Sequence, residues 1–240
     1  MAGLSYEFGR KIGDMFRKGK WVMRSLSGNE MLTIQGEYEV GRSLARQFEA
    51  DLDADPGANT LVSEVGGRLE TRLTNRKRRF TFRVLNSSEA NAFALPGGFI
   101  YVTRALLDLC HGDGDEVAFI LGHEIGHVVK EHAINRIMDK AAIDVAARVI
   151  SIRGWLTKVL QQGGKKLLES AYSQDQELAA DDFGYRLVES AGFNKLAAFS
   201  MLKRLQDSTN LLGDSIMSVY FSSHPPVKLR IERLNRLLRK

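Results

Sequence analysis

The sequence is poor in cysteine, because Cys110 is the only one among 240 residues. A single thiol excludes an intrachain disulfide bond as a source of stability. It also leaves the redox compartment undetermined, since only the presence of disulfides would have indicated an oxidising one. We expect Cys110 to be a buried and unreactive thiol.

Long apolar runs are missing as well. No uninterrupted stretch reaches the roughly 18 residues that indicate a membrane-spanning helix. Charged side chains are scattered through the amino-terminal segment, which excludes the apolar core of a secretory signal peptide. These side chains are Glu7, Arg10, Lys11, Asp14, Arg17, Lys18 and Lys20. We therefore expect a water-soluble chain, and a signal removed from a longer precursor would leave no trace in it.

The excess of positive over negative charge is small, because the formal net charge is only +5. The carboxy-terminal segment carries this excess by itself, so the remainder of the chain is balanced. Its charged residues are Lys228, Arg230, Arg233, Arg236, Arg239 and Lys240, opposed by Glu232. No base-stacking aromatic residues accompany them, so we expect no nucleic-acid partner. A solvated helix face is favoured, with peripheral contact to anionic lipid as the alternative.

Length and composition favour one large domain. A chain of 240 residues with 44% hydrophobic content can bury a sizeable core. We expect an amino-terminal arm over residues 1–27 and a single domain over residues 28–240. Within that domain, residues 141–169 form an amphipathic segment interrupted by Gly154 and Gly163. A pair of core helices is favoured there, and a mobile lid or a membrane-facing hairpin is the alternative.

Apolar spacing predicts helices on both sides of a short strand region. A helical pattern runs from about Asn29 to Asp51, before an Asp-Pro-Gly break. A second helix follows, for which Asn59 or Thr60 is the expected amino-terminal cap. Thr103 is expected to cap a third, shorter helix.

Two stretches between these helices have the pattern of strands. Phe80, Phe82 and Val84 alternate with polar residues, which is typical of a half-buried strand. The alternation suggests an antiparallel partner, and the best candidate is the stretch from Gly98 to Val102. The Pro-Gly-Gly sequence that precedes it permits a tight turn. The sequence therefore predicts a small antiparallel sheet beside the helices.

The central motif is His-Glu-x-x-His, formed by His123, Glu124 and His127. On a helix, residues four apart share a face, so both imidazoles can bind one ion. Glu124 then lies beside the remaining coordination position, where a carboxylate can take a proton from water. Apolar residues surround the motif, so the helix is expected to be buried nearly all round. Two core histidines without a metal are the less favoured interpretation.

A third ligand has to come from elsewhere in the chain. His132 lies nine residues beyond His123, where the metzincin pattern requires ten, so we do not expect it to be the ligand. Downstream, Glu177 and Asp181 are four residues apart and share a helix face. Glu177 can therefore bind the metal while Asp181 accepts the outer N–H of a ligating histidine. The small residues around them, Ala179, Ala180 and Gly184, allow close packing against the first helix.

Four motifs in this order resemble one enzyme family. They are residues 91–103 (Asn-Ala-Phe-Ala-Leu-Pro-Gly-Gly-Phe-Ile-Tyr-Val-Thr), the His-Glu-Ile-Gly-His-Val run, Glu-Leu-Ala-Ala-Asp from Glu177, and Ser-His-Pro-Pro around His224 with Arg230. The sequence is similar over about residues 30–235 to the gluzincin family that includes the CaaX prenyl proteases. The same family contains bacterial periplasmic proteases that tend outer-membrane β-barrel assembly. The resemblance implies an α+β, mostly helical, zincin-like protease domain.

The resemblance also implies roles for individual residues. His123, His127 and Glu177 would bind one Zn²⁺, Glu124 would be the general base, and Asp181 would support a ligand. His224 matches a family histidine near the metal, which could stabilise the oxyanion or occupy the open zinc position at rest; an ordinary loop histidine is the alternative. Arg230 could hold that loop or steady the reaction intermediate.

Substrate binding is implied for a second group of residues. Asn91 and the strand near Gly98 and Phe99 resemble an edge that pairs with an extended peptide. Arg230 is a further candidate for contact with the substrate. Such pairing suits the cleavage of extended or unfolded chains.

The chain departs from its relatives in two ways. It has none of the spanning helices of the prenyl proteases, so a prenylated substrate is not expected. It also has no tetratricopeptide repeat after the protease domain, so no role that depends on such repeats is expected.

The sequence therefore predicts a zinc metalloendopeptidase that acts on extended or misfolded polypeptides in cell-envelope quality control. A periplasmic or envelope location, with some membrane association, is implied by the family alone. The first alternative is a zinc-bound holdase whose site is kept shut. The second is an adaptor at the membrane surface that works through its basic carboxy-terminal helix.

Overall fold

The computed structural model describes residues 30–135, 172–212, 224 and 227–239. This part of the chain is mostly helical with three short strands, which confirms the predicted α+β class. The helices are α1 (Glu30–Ala45), a 3-10 helix (Arg46–Asp51), α2 (Pro56–Glu70), α3 (Arg104–Leu109), α4 (Gly114–Val129), α5 (Gln174–Ser190), α6 (Ala197–Leu212) and α7 (Val227–Leu238). The strands are β1 (Thr81–Leu85), β2 (Ala92–Leu95) and β3 (Phe99–Thr103).

The amino-terminal helices follow the predicted extents with one correction. The first pattern forms α1 and continues as the 3-10 helix to Asp51. Helix α2 begins at Pro56 rather than near Thr60, and its cap is Asp55, whose Oδ1 accepts the Gly57 N–H at 2.8 Å. Proline needs no partner for an N–H at the first helical position, so the helix starts earlier. Asn59 instead donates its side-chain N–H to the carbonyls of Asp53 and Asp55.

The three strands form one mixed sheet in the order β1-β3-β2. Strands β2 and β3 pair antiparallel through a turn in which Gly97 and Gly98 have φ angles of 77° and 92°. Strand β1 pairs with β3 in parallel, with Thr81 opposite Phe99. The predicted antiparallel pairing of these two strands was therefore wrong. Side-chain alternation has the same period in both arrangements, so it cannot report strand direction.

The position of β3 also corrects the predicted peptide-binding edge. Both sides of β3 are hydrogen-bonded, to β1 and to β2, and the Gly98 carbonyl accepts the Thr81 N–H at 2.8 Å. The stretch from Gly98 to Val102 therefore offers no edge to an added strand. Among the described residues, β2 pairs on one side only, which leaves it as the sheet margin.

Helix α4 lies at the centre of the core. Every residue from Glu116 to Val128 is buried, as the apolar flanks of the motif predicted. Helix α5 packs directly on it through small residues, because Gly122 faces Gly184 and Gly126 faces Ala180. A Cβ atom on Gly184 would lie 2.7 Å from the backbone nitrogen of His123. The close approach of the two helices thus depends on the absence of that side chain.

Two further expectations concern single features of the chain. Cys110 is fully buried, as predicted, and burial raises the pKa of its thiol to about 12. Within the described ranges, no helix is both long and apolar enough to cross a membrane. The predicted arm (1–27) and the segment 141–169 lie outside the described residues. The division of the chain at residue 28 therefore stays a prediction.

Candidate metal and peptidase site

Helix α4 presents His123, Glu124 and His127 in the core. The helix begins at Gly114 and is capped by Asp113, whose Oδ1 accepts the N–H groups of Asp115 and Glu116 at 2.9 and 3.2 Å. The Nε2 atoms of His123 and His127 lie 3.1 Å apart. The helical spacing has therefore brought both imidazoles to one point, as predicted.

Helix α5 brings Glu177 to the same point. Ser173 caps this helix, and a reciprocal pair of hydrogen bonds between Ser173 and Gln176 fixes its start at Gln174. Glu177 Oε1 lies 3.2 Å from His127 Nε2, and Oε2 lies 3.5 Å from His123 Nε2. Burial raises the pKa of the Glu177 carboxyl, but the His224, His123 and His127 rings outweigh it and hold this pKa well below its ordinary value.

These donor atoms fit a tetrahedral metal ion. Zn²⁺ binds imidazole nitrogen and carboxylate oxygen at about 2.0–2.1 Å, which places neighbouring ligand atoms roughly 3.3–3.4 Å apart. The observed separations of 3.1, 3.2 and 3.5 Å bracket that value. Glu177 Oε1 is buried and makes no hydrogen bond among the described residues. A buried carboxylate oxygen needs a partner, and a cation between the three side chains supplies one.

His224 completes a group of four possible ligands with His123, His127 and Glu177, here called the ligand group. One donor atom from each side chain lies within 4.8 Å of the others. His224 is buried, and its Nδ1 atom lies 2.8 Å from Glu177 Oε2. His224 therefore lies beside the other three candidate ligands, while its role near a metal stays a prediction.

Glu124 is buried beside the ligand group without a hydrogen bond to its Oε2 atom from the described residues. Burial raises the pKa of its carboxyl above the ordinary value, which makes the group a stronger base. A small pocket opens next to it, lined mainly by apolar side chains. They are Ala92, Phe119, Ile120, Met201 and Leu205, with Arg230 at the same pocket.

Asp181 and Arg230 lie on the Nδ1 side of the His123 ring, away from the other candidate ligands. Asp181 Oδ1 lies 2.8 Å from His123 Nδ1, as predicted for an acid that orients a ligand. Arg230 donates to Asp181 from Nε at 2.8 Å and from Nη2 at 2.7 Å. Burial raises the pKa of Asp181, but the guanidinium and His123 outweigh it and lower this pKa to about 2. Arg230 thus neutralises and orients the Asp181 carboxylate. A contact between Arg230 and a substrate stays a prediction.

The predicted substrate-binding residues occupy different places. Asn91 lies at the start of β2, next to Ala92 of the pocket, and its backbone exchanges hydrogen bonds with Thr103. Phe99 pairs with Leu95 at the opposite end of the β2–β3 hairpin and packs on the Tyr38 ring. The structure therefore brings Asn91, but not Phe99, to the side of the sheet nearest Glu124.

Two residues of the site were missed from the sequence. Tyr172 stacks on His127 with ring centroids 3.9 Å apart, and His132 Nδ1 lies 3.0 Å from His127 Nδ1. The rejection of His132 as a third ligand holds, because it faces the outer nitrogen of His127. Its supporting position could not be read from spacing, since it depends on a break in the helix at Glu131.

Comparison of the sequence with known proteins identifies one family. The profile of Peptidase family M48 matches residues 56–238. The mitochondrial metalloendopeptidase OMA1 of Schizosaccharomyces pombe is 29% identical over 67% of this chain and 47% of its own length. Metalloprotease LoiP of Escherichia coli K12 is 28% identical over 73% of this chain and 67% of its own.

A further relative is the beta-barrel assembly-enhancing protease of Escherichia coli K12, 26% identical over 83% of this chain and 42% of its own length. The chain thus spans about half the length of some of the relatives it matches. The family profile covers the His-Glu-x-x-His motif together with Glu177, Asp181, His224 and Arg230. It confirms the resemblance from which their roles were predicted. The chain belongs to peptidase family M48.

Proposed function

We propose that this protein is a zinc-dependent metalloendopeptidase that cleaves extended or misfolded polypeptides. The observation that carries the proposal is one buried arrangement. Donor atoms of His123, His127 and Glu177 stand at tetrahedral separations, and Glu124 presents a carboxylate oxygen beside them. A site that binds metal only for stability has no use for such a base.

His123, His127 and Glu177 would hold the ion, which when bound supplies Lewis acidity to the scissile carbonyl and to a water molecule. Glu124 would receive a proton from that water molecule while the water oxygen attacks the carbonyl carbon. The same carboxyl would then return the proton to the leaving amine nitrogen, so that it departs as a neutral amine. The apolar lining of the adjacent pocket would exclude competing water from Glu124.

His224 has two proposed roles that operate at different stages. During the reaction its ring would donate a hydrogen bond to the oxyanion that forms from the substrate carbonyl. At rest it would occupy the position that substrate must enter, which the 2.8 Å separation of His224 Nδ1 from Glu177 Oε2 supports. Substrate would then have to displace this ring before cleavage.

The substrate would bind as an added strand along β2. This strand is the described margin of the sheet, and Ala92 lines the pocket beside Glu124. Asn91 would contact the peptide where it passes the proposed metal position. Backbone pairing is independent of side-chain identity, so it suits a broad range of unfolded chains.

A role in protein quality control of the cell envelope is proposed from similarity alone. One relative is named as a beta-barrel assembly-enhancing protease, which favours a periplasmic or envelope location. Another is named as mitochondrial, so the family occurs in more than one compartment. Fractionation of the native host, with the protein detected by antibody, tests the location.

The second candidate function is a zinc-bound holdase with little turnover. The buried position of His224 beside Glu177 is the observation that favours it, because a ring held there would block access to a bound metal.

Casein cleavage by metal-free protein, titrated with Zn²⁺, distinguishes the peptidase from the holdase. A peptidase gains activity up to one zinc per chain, whereas a closed holdase binds that zinc and stays silent until His224→Ala is introduced. Silence of both proteins with zinc bound would contradict the proposal.

A further inference from the structure

His132 contacts the nitrogen of His127 that faces away from the metal position. The two Nδ1 atoms lie 3.0 Å apart, and the His132 ring is buried. His127 directs its Nε2 atom to the ligand group, so a bound metal would leave the proton on Nδ1. His127 would then donate a hydrogen bond to His132 Nδ1, and the proton of His132 would be on its Nε2 atom.

The chain between the two histidines is shaped to allow this contact. On an unbroken helix, a residue five positions after His127 would point about 140° away from it. Helix α4 instead ends at Val129, and Glu131 adopts a left-handed conformation with φ of 60°. Helical backbone resumes at residues 132–135, which places the His132 ring beside His127.

The buried Arg78 forms an ion pair with Glu131, whose own side chain is 45% exposed. Arg78 Nη2 donates to Glu131 Oε1 at 3.0 Å and to Glu37 Oε1 at 3.2 Å, and its Nη1 atom contacts the other Glu37 oxygen. Arg78 and Glu37 are 7% and 2% exposed, so their position is fixed by the surrounding core. A left-handed conformation is unfavourable for a residue with a Cβ atom, and this contact opposes its relaxation.

We propose that His132 is a positioning residue for the metal ligand His127, and that the turn at Glu131, held by Arg78, delivers it. The inference rests on the metal site of the proposed function. His132 plays for His127 the part that Asp181 plays for His123, so each imidazole ligand is oriented from behind. Such a partner fixes the ring and the tautomer of the ligand and strengthens metal binding.

Paired substitutions of His132 test the hydrogen bond. His132→Phe keeps a buried ring but removes the acceptor, whereas His132→Asn keeps an acceptor near the Nδ1 position. Zinc affinity is measured by competition with a chromophoric chelator, and thermal unfolding is followed on metal-free protein. We expect His132→Phe to bind zinc about 10–100-fold more weakly. We expect His132→Asn to recover most of that loss.

Ile134→Ala is the matched control for packing. Ile134 is buried on the same short helical segment and has no hydrogen-bonding side chain. We expect this variant to unfold at a lower temperature while its zinc affinity stays near that of the wild type. An equal loss of zinc affinity in Ile134→Ala and His132→Phe would show that packing alone matters, and would overturn the proposal.

Substitutions of Glu131 test the turn independently of His132. Glu131→Ala and Glu131→Gly both remove the bond to Arg78, but only glycine adopts the left-handed conformation without strain. We expect Glu131→Ala to weaken zinc binding and Glu131→Gly to preserve it. Wild-type zinc affinity in both variants would contradict the role of the turn.

The outcomes separate this inference from the proposed function. If the wild type binds one zinc and His132→Phe binds it equally well, only the role of His132 is overturned. If the wild-type protein binds no zinc, the metal site itself is wrong, and both proposals fail.

Discussion

At the scale of single residues, the buried carboxylate of Asp181 has two partners that explain its burial. Asp181 lies between His123 and Arg230, and its carboxylate accepts from both. A buried carboxylate without such partners would be protonated rather than charged. The arrangement therefore keeps a negative charge behind the ligand and a neutral balance across the pair of Asp181 and Arg230.

This pairing predicts how stability depends on pH. The pKa of Asp181 is about 2 in the folded protein, below its ordinary value of 3.8. A carboxyl with a lowered pKa stabilises the fold above its unfolded pKa, and that contribution is lost as the pH falls toward the folded value. The shift corresponds to about 2 kcal/mol. We therefore expect the stability difference between wild type and Asp181→Asn to shrink by about this amount between pH 5 and pH 2.

Urea unfolding of metal-free protein at several pH values measures this difference. Asp182→Asn is the control for the loss of a neighbouring acid, because Asp182 is on the same helix and pairs with the partly exposed Arg233. A difference for Asp181→Asn that does not change with pH would contradict the assigned ion pair.

The residues of the site differ in how far the sequence could predict them. Spacing of four on a helix is a local property, so His123 with His127, and Glu177 with Asp181, could be paired from the sequence. His132 could not, because its position depends on the backbone of Glu131 and on Arg78 from a distant loop. Tyr172 could not either, since nothing local indicates which ring it will stack on.

At the scale of elements, the site depends on how closely α4 and α5 approach. The proposed ligands His123 and His127 are on one helix and Glu177 is on the other, so moving the helices slightly apart would widen the proposed metal site. Gly184 sets that separation, because a Cβ there would lie 2.7 Å from the His123 nitrogen and 2.9 Å from the Gly122 carbonyl carbon.

Glycine substitutions test this dependence. We expect Gly184→Ala to lower the free energy of unfolding by about 1–3 kcal/mol, the usual cost of overpacking, and to weaken zinc binding. Gly67→Ala in α2 is the matched control, because no atom lies within 4 Å of the added Cβ. That variant should be more stable by roughly 0.5–1 kcal/mol, since alanine favours a helix over glycine. Equal effects of the two changes would contradict the account.

Local features of the sequence predict where an element forms, but not how it pairs with other elements. Helix α4 could be predicted from its apolar flanks and its cap, because both are local. The direction of β1 against β3 could not, since it depends on the path of the connection through β2. The predicted start of α2 near Thr60 is wrong because Pro56 is the first helical residue and not a break between helices.

At the scale of the whole molecule, metal binding and folding should be coupled. The ligand group draws on α4, on α5 and on the separate residue His224, so an ion between them links distant parts of the chain. Binding to the folded state alone stabilises by about 2.7 kcal/mol at a free concentration of 100 times Kd. For a protein of this size that corresponds to a rise in Tm of about 5–10 °C.

Calorimetry with and without Zn²⁺ measures this shift. We expect Glu177→Gln to abolish most of it, because the carboxylate is one of the proposed ligands. Asp182→Asn, a nearby acid on the same helix that pairs with Arg233, should retain it. An unchanged shift in Glu177→Gln would show that zinc binds elsewhere.

The central claim is that Glu124 acts on water at a metal held by its neighbours. The most direct measurement is casein cleavage by the wild type and by Glu124→Gln, with bound zinc quantified in both proteins. We predict that Glu124→Gln keeps one zinc per chain and loses activity by about 100-fold or more, the usual contribution of a general base. Cleavage at the wild-type rate by a zinc-loaded Glu124→Gln protein would contradict the account.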